Sequence, residues 1–130
     1  MVTLYSFLED DSPVYIGMTT RSLQKRFDHH LSSAKAGTKA DKQFEAFLLE
    51  HKFYFMSIGQ LDDDTHGRVA ERLLINGIRP RFNRVFKKVM STSRPYSLPG
   101  WRERQTDRDL LLWDLYIKPF INKEILALLD

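Results

Sequence analysis

Two short β-rich stretches followed at once by an amphipathic one constrain this chain most. Leu4-Tyr5-Ser6-Phe7 and Val14-Tyr15-Ile16-Gly17 flank a polar loop, and Thr20 to Gly37 follows at helical spacing. Val2 to Phe7 alternates and is rich in β-formers, as a strand requires. Glu9-Asp10-Asp11-Ser12-Pro13 supplies turn chemistry, so the two stretches are expected to pair as an antiparallel hairpin with a longer loop. Gly17, at the expected strand exit, has no Cβ and would let the chain pass close to a ligand. Thr19 or Thr20 is the expected helix cap, and Leu23, Phe27, Leu31 and Ala34 form the core face. Gly37 is the expected stop. Arg26 and His30, four residues apart, sit one above the other on a neighbouring face.

The rest of the chain continues an α/β pattern. Asp41 to His51 reads as a second helix with Phe44, Phe47 and Leu48 inward, and Phe53 to Leu61 as a third strand. Asp64 or Thr65 opens a helix whose Val69, Ala70, Leu73 and Leu74 face the core, with Gly77 closing it. Glu71 lies beside that apolar stripe. Pro80 stops the helix, and Arg81 to Met90 alternates basic and apolar residues like an exposed strand. Ser91 to Arg104 reads as a loop or linker, and Thr106 with Asp109 as a helix start. Leu110 to Leu129 is apolar, with a break near Pro119. It either packs on its own domain or meets a second copy as a homo-oligomer contact. The expected division is a domain at 1–90 and a linker with a C-terminal helical extension at 91–130.

Charge is segregated. The net charge is only +3, yet residues 79 to 104 hold Arg79, Arg81, Arg84, Lys87, Lys88, Arg94, Arg102 and Arg104 against Glu103. That implies either a surface facing a polyanion or a solvated basic loop. The chain has no cysteine, which excludes disulfides and thiolate metal sites. No apolar run approaches a membrane span, and acids stand near the N-terminus where a secretory signal carries basic residues. An intracellular, cytoplasmic protein without a membrane partner is expected.

Tyr5, then Tyr15-Ile16-Gly17, Arg26 with His30, Glu71 and Asn83 together resemble the GIY-YIG nuclease superfamily. The likeness covers roughly residues 2 to 90, and AERLLINGIRPRFN (70–83) is similar to the family's closing block. Thr3-Leu4-Tyr5 keeps only the tyrosine of the first motif, and Met18 stands where the family commonly has serine or lysine. The resemblance implies an α/β fold with a small three-stranded, mainly antiparallel sheet flanked by helices. It also implies a metal-dependent DNA endonuclease, compact like phage, mobile-element or restriction enzymes.

The implied roles match what phosphodiester hydrolysis needs: an activated water, a stabiliser for phosphoryl charge and help for the leaving oxygen. Glu71 would hold one Mg²⁺ (or Mn²⁺), with waters and phosphate oxygens completing the shell. Arg26 would steady the developing charge, and His30 would donate to phosphate or relay a proton. Tyr5 is the implied base with Tyr15 in support, and Asn83 fixes loop geometry. Gly17 and the basic residues from Arg79 to Arg104 would meet DNA, with RNA left open. Each residue also has an ordinary reading: a surface glutamate, a solvated arginine, packed strand tyrosines or a turn asparagine. A non-catalytic nucleic-acid-binding module and a protein-interaction module are the rival functions.

Overall fold

The structure, a computed structural model, describes residues 1–84 and 100–129. Three strands, β1 (Val2–Glu9), β2 (Ser12–Thr19) and β3 (Tyr54–Leu61), form an antiparallel sheet in the order β2-β1-β3. The helices are α1 (Leu23–Ala36), α2 (Lys42–Glu50) and α3 (Asp64–Ile78). This is the expected α/β class. The hairpin differs in its turn. Its strands run to Glu9 and from Ser12, leaving Asp10 and Asp11 as a two-residue connection with both φ angles positive, at 49° and 65°. Aspartate tolerates that left-handed backbone, and such turns match the twist of paired strands.

Capping residues explain where the helices begin. The Ser22 hydroxyl accepts from the Lys25 amide, so α1 starts after Ser22 rather than at Thr19 or Thr20. Asp41 accepts from the Gln43 and Phe44 amides, and Asp63 from those of Thr65 and His66. Gly37 ends α1 as expected. Gly77, the expected closer of α3, lies inside its last turn, and Arg79 at φ 59° takes the cap. The reason for a glycine there is tertiary. A Cβ on Gly77 would come within 2.6 Å of the Trp101 ring and 2.4 Å of Leu129.

Alternation along β1 sends its side chains into two cores. Val2 and Leu4 join Ile16, Ile58 and the inner face of α3, whereas Tyr5 and Phe7 join Val14, Phe44, Phe47 and Phe82 beside α1 and α2. The first core also contains Trp101, Trp113, Ile117, Ile121 and Ile125. The C-terminal apolar stretch therefore packs on its own domain. It runs as α4 (Asp107–Leu112), capped by Thr106 as expected, then a π turn to Ile117, a 3₁₀ turn containing Pro119, and α5 (Lys123–Leu126).

Both sheet edges are covered. Ile121 bridges Gly59, and the Asn122 amide donates to the Ile58 carbonyl at 2.8 Å, closing the β3 edge. On the β2 edge, Phe82 donates to Val14 at 2.8 Å. Residues 81–84 thus form a turn laid along β2 rather than the start of an exposed strand. The remainder of the expected strand, with Lys87 and Lys88, and the linker with Arg94 lie outside the described residues. Among those described, no helix is long and apolar enough to cross a membrane.

Candidate active site

In an antiparallel edge strand, alternate residues point their peptide groups outward and must find partners. On β2 those residues are Val14, Ile16 and Met18. The Val14 carbonyl is met by Phe82. The Asn83 side chain answers both groups of Ile16, accepting from its amide at 2.8 Å and donating to its carbonyl at 2.8 Å. The Met18 amide donates to the Glu71 carboxylate. Asn83 thus imitates a strand, and Glu71 is tied by its carboxylate to the backbone beside the YIG sequence. Both predicted site residues therefore also serve the β2 edge.

Behind that edge, on the other sheet face, lies the phenol network. Tyr5 is opposite Gly17 in the β1–β2 register. A Cβ at Gly17 would lie 2.5 Å from the Tyr5 hydroxyl, so the glycine makes room for the phenol. Gly17 sits within β2 rather than at its exit, and the space is taken by Tyr5 and not left for a ligand. A bulge between Leu4 and Tyr5 in the β1–β3 register adjoins the same tyrosine, a device that re-aims side chains.

The Tyr5 hydroxyl accepts from Arg26 Nε at 3.0 Å. His30 Nε2 lies 2.9 Å from the same oxygen, and the Lys39 ammonium donates to His30 Nδ1 at 3.0 Å. An ammonium can only donate, so Nδ1 is the accepting nitrogen and the network assigns the ring proton to Nε2. His30 is pushed down to about 3 by burial, with Lys39 and Arg26 adding to the shift, and is neutral at working pH. Tyr15 couples to Tyr5 and Arg26 through its side chain. Tyr5, Tyr15, Arg26 and His30 are therefore one cluster.

A cleft of about 400 Å³ opens at the β2 edge, lined by Tyr15, Lys39, Asp41, Glu71, Asn83 and Arg84 among others. Two carboxylates border it. Asp41 is occupied as the cap of α2 and lies 3.5 Å from Arg84 Nε. Glu71 takes the Met18 amide and borders the cleft. Burial raises its carboxyl to about 7, against the opposing pull of Arg26 and the Met18 amide. Burial also raises both phenols above their usual value, with the Arg26 hydrogen bond offsetting part of the effect at Tyr5. For Arg26, burial works against the charge, but Tyr5 and Tyr15 outweigh it and the guanidinium is raised.

The predicted DNA-facing arginines divide. Arg84 borders the cleft. Arg79 and Arg81 line a second hollow beside Glu9 and Pro13, where Arg81 lies over the Phe82 ring and 3.5 Å from Glu9. Arg102 is held by Asp114 at 2.8 Å, on the extension, where Arg104 also sits. Neither lines the cleft. Sequence reasoning missed Lys39, a loop lysine nine residues past His30 with no periodic or motif signal. Among the described residues no group of three or more metal-ligating side chains occurs.

A family model described as the GIY-YIG catalytic domain matches residues 1–83. No curated protein and no solved structure matches the chain. The match spans more than half of the 130 residues and ends on Asn83, so it takes in every member of the cluster and all of the cleft lining but Arg84. The chain belongs to the GIY-YIG family of nuclease catalytic domains.

Proposed function

We propose that this chain is a metal-dependent DNA endonuclease that hydrolyses phosphodiester bonds by in-line attack of water, with one cation held at Glu71. The observation that carries this reading is the shared placement of Glu71 and Tyr15 on one cleft, with Arg26 coupled electrostatically to both. The donor set suits a hard cation. Mg²⁺ keeps most of its waters and takes one or two carboxylates plus substrate phosphate, and Glu71 is a carboxylate on an open cleft whose described lining residues include no thiolate or imidazole. Mg²⁺ or Mn²⁺ bound there would neutralise charge on the phosphoryl oxygens.

The chain's own residues supply the rest. Arg26 gives Nε to Tyr5 and also bonds Tyr15, which fixes the plane of the guanidinium and leaves its remaining N–H groups for a phosphoryl oxygen. The resemblance names Tyr5 as base. Its ring is fully buried and its hydroxyl already engaged, so we assign contact with the attacking water to Tyr15, the half-buried phenol on the cleft wall. Tyr5 then braces Arg26. Asn83 holds β2 and the chain after α3 together, and so keeps Tyr15 and Glu71 in register. Arg79, Arg81 and Arg84, with Lys87, Lys88 and Arg94, would track phosphates and give affinity without sequence choice.

A plasmid-nicking assay tests the reading. Cleavage should appear with Mg²⁺, vanish with chelator, and be lost in Glu71→Ala while DNA binding persists. Salt-dependent binding with no cleavage under any divalent ion would make the chain a non-catalytic binding module and overturn the proposal.

A further inference from the structure

The cleft has a wall residue that neither the family likeness nor the sequence motifs supplied. Lys39, in the loop between α1 and α2, borders the cleft while its ammonium reaches back 3.0 Å to His30 Nδ1. His30 is 3% exposed, so this is not a surface contact that water could replace at no cost. The lysine stem is itself seated, with Nζ 5.0 Å from the centre of the Phe44 ring, a cation–π distance.

We propose that Lys39 is a positioning residue for the nuclease reaction, fixing His30 as the Nε2–H tautomer and thereby setting the direction of the hydrogen-bond chain that ends at Tyr15. The argument is one of donors and acceptors. Lys39 donates to Nδ1, so the neutral ring carries its proton on Nε2 and donates it to the Tyr5 oxygen at 2.9 Å. That oxygen also accepts from Arg26 Nε at 3.0 Å. With two donors on its lone pairs, the Tyr5 hydroxyl must aim its own proton at a third group. Tyr15, whose side chain couples to Tyr5, is the hydroxyl within reach. Tyr15 therefore receives a donor from inside the protein and presents the rest of its hydroxyl to the cleft. Without Lys39 the ring is free to take the other tautomer. Nε2 then becomes an acceptor, Tyr5 turns its proton back to His30, and Tyr15 loses Tyr5 as a donor and keeps only Arg26.

This inference rests on the nuclease reading for its kinetic part alone, because the tautomer can be measured with no substrate present. Long-range ¹H–¹⁵N spectra of histidine-labelled full-length protein read which His30 nitrogen bears the proton. The expected result is a single neutral tautomer protonated at Nε2 in the wild type, and a shift towards Nδ1–H or a mixture in Lys39→Met, which keeps an apolar stem over Phe44. In Mg²⁺-dependent cleavage, Lys39→Met should lower kcat roughly ten- to a hundredfold, the scale on which a histidine's orienting partner acts, with KM changed much less. Lys39→Arg, which keeps a cationic donor, should restore the tautomer and most of kcat.

A wild-type His30 protonated at Nδ1 overturns the proposal before any variant is made. So does a Lys39→Met protein with an unchanged tautomer, or one whose tautomer shifts while kcat stays at the wild-type value. A rise in KM with kcat untouched would make Lys39 a plain phosphate contact and also overturn it. Absence of cleavage in the wild type is a failure of the nuclease reading, distinguishable because the tautomer result stands by itself.

Discussion

Tyr5 and Tyr15 are ten residues apart and chemically alike, yet their surroundings differ. Tyr5 is sealed between Gly17, Arg26 and His30, while Tyr15 borders the cleft. Tyr5→Phe would leave the buried His30 Nε2–H without its acceptor, at about 1–3 kcal/mol, and would also free the part-buried Arg26 Nε. It should lower the unfolding midpoint and also loosen Arg26. Tyr15→Phe, at a half-buried ring on the cleft, should cost less stability and remove cleavage. Paired denaturation and nicking assays on the two variants check this, and equal stability losses with equal activity would defeat the division of roles. Glu71 carries a second prediction at this scale. Its carboxyl is raised from 4.5 to about 7 by burial, so within that window the folded chain holds a proton that the unfolded chain has released. Stability must therefore fall as pH rises through it. His30 acts in the opposite sense: lowered by burial from 6.5 to about 3, it adds stability as pH rises across that range. In chelator the two oppose each other where the windows overlap. Glu71→Gln removes one of them, so its stability advantage over wild type should grow from pH 4.5 to about 7, reaching at most about 3 kcal/mol at ~1.36 kcal/mol per unit. Urea titrations across that range would detect it. An offset that did not vary with pH would mean that the carboxylate is as well solvated folded as unfolded.

At the scale of the element, what the sequence disclosed was what local chemistry decides. Asp41, Gly37 and the Thr106–Asp109 pair mark helix ends through bonds to their own neighbours, so the boundaries of α1, α2 and α4 were readable to within a few residues. The spacing of Arg26 and His30 on one helix was legible for the same reason. Gly77 misled because its requirement is contact with Trp101 and Leu129, far along the chain, and not a backbone angle. Gly17 misled in the same way through Tyr5. Lys39 could not be found at all, since a loop lysine has no pattern until the fold brings it to His30. Asn83 is intermediate: its position in the closing block was visible, but its use as a stand-in strand on the β2 edge depends on the sheet order. That use yields a prediction. Asn83→Asp keeps the acceptor for the Ile16 amide but sets a carboxylate oxygen against the Ile16 carbonyl, whereas Asn83→Ala only removes both bonds. The aspartate variant should be the less stable of the two above pH 5, and should cut cleavage by loosening Tyr15 relative to Glu71. If alanine and aspartate behave alike, the bond to the Ile16 carbonyl contributes nothing.

For the whole molecule, the question is whether the extension is an appendage or part of the catalytic unit. Its two tryptophans answer it. Trp101 donates to the Leu73 carbonyl at 2.9 Å, and its ring stands edge-on to Trp113 at 5.2 Å between centroids. Arg72, next to Glu71 on α3, pairs with Asp109, and Gln105 donates to Asn76 at 2.8 Å. The helix that carries Glu71 is thus gripped by the cleft on one face and the extension on another. A chain built this way should unfold in one step. Trp101 and Trp113 are the only tryptophans, so fluorescence reports the extension, while far-ultraviolet dichroism reports all the helices and the sheet. The two thermal transitions should coincide. Trp101→Ala, which removes a buried indole at about 3–5 kcal/mol, should move both together by roughly 10–20 °C. Were the extension a separate unit, the fluorescence transition alone would shift and the dichroism midpoint would stay. The same variant should lose cleavage at temperatures where its secondary structure is intact only if loosening α3 displaces Glu71, so activity tracked against temperature shows whether the extension acts on the site as well as on the fold.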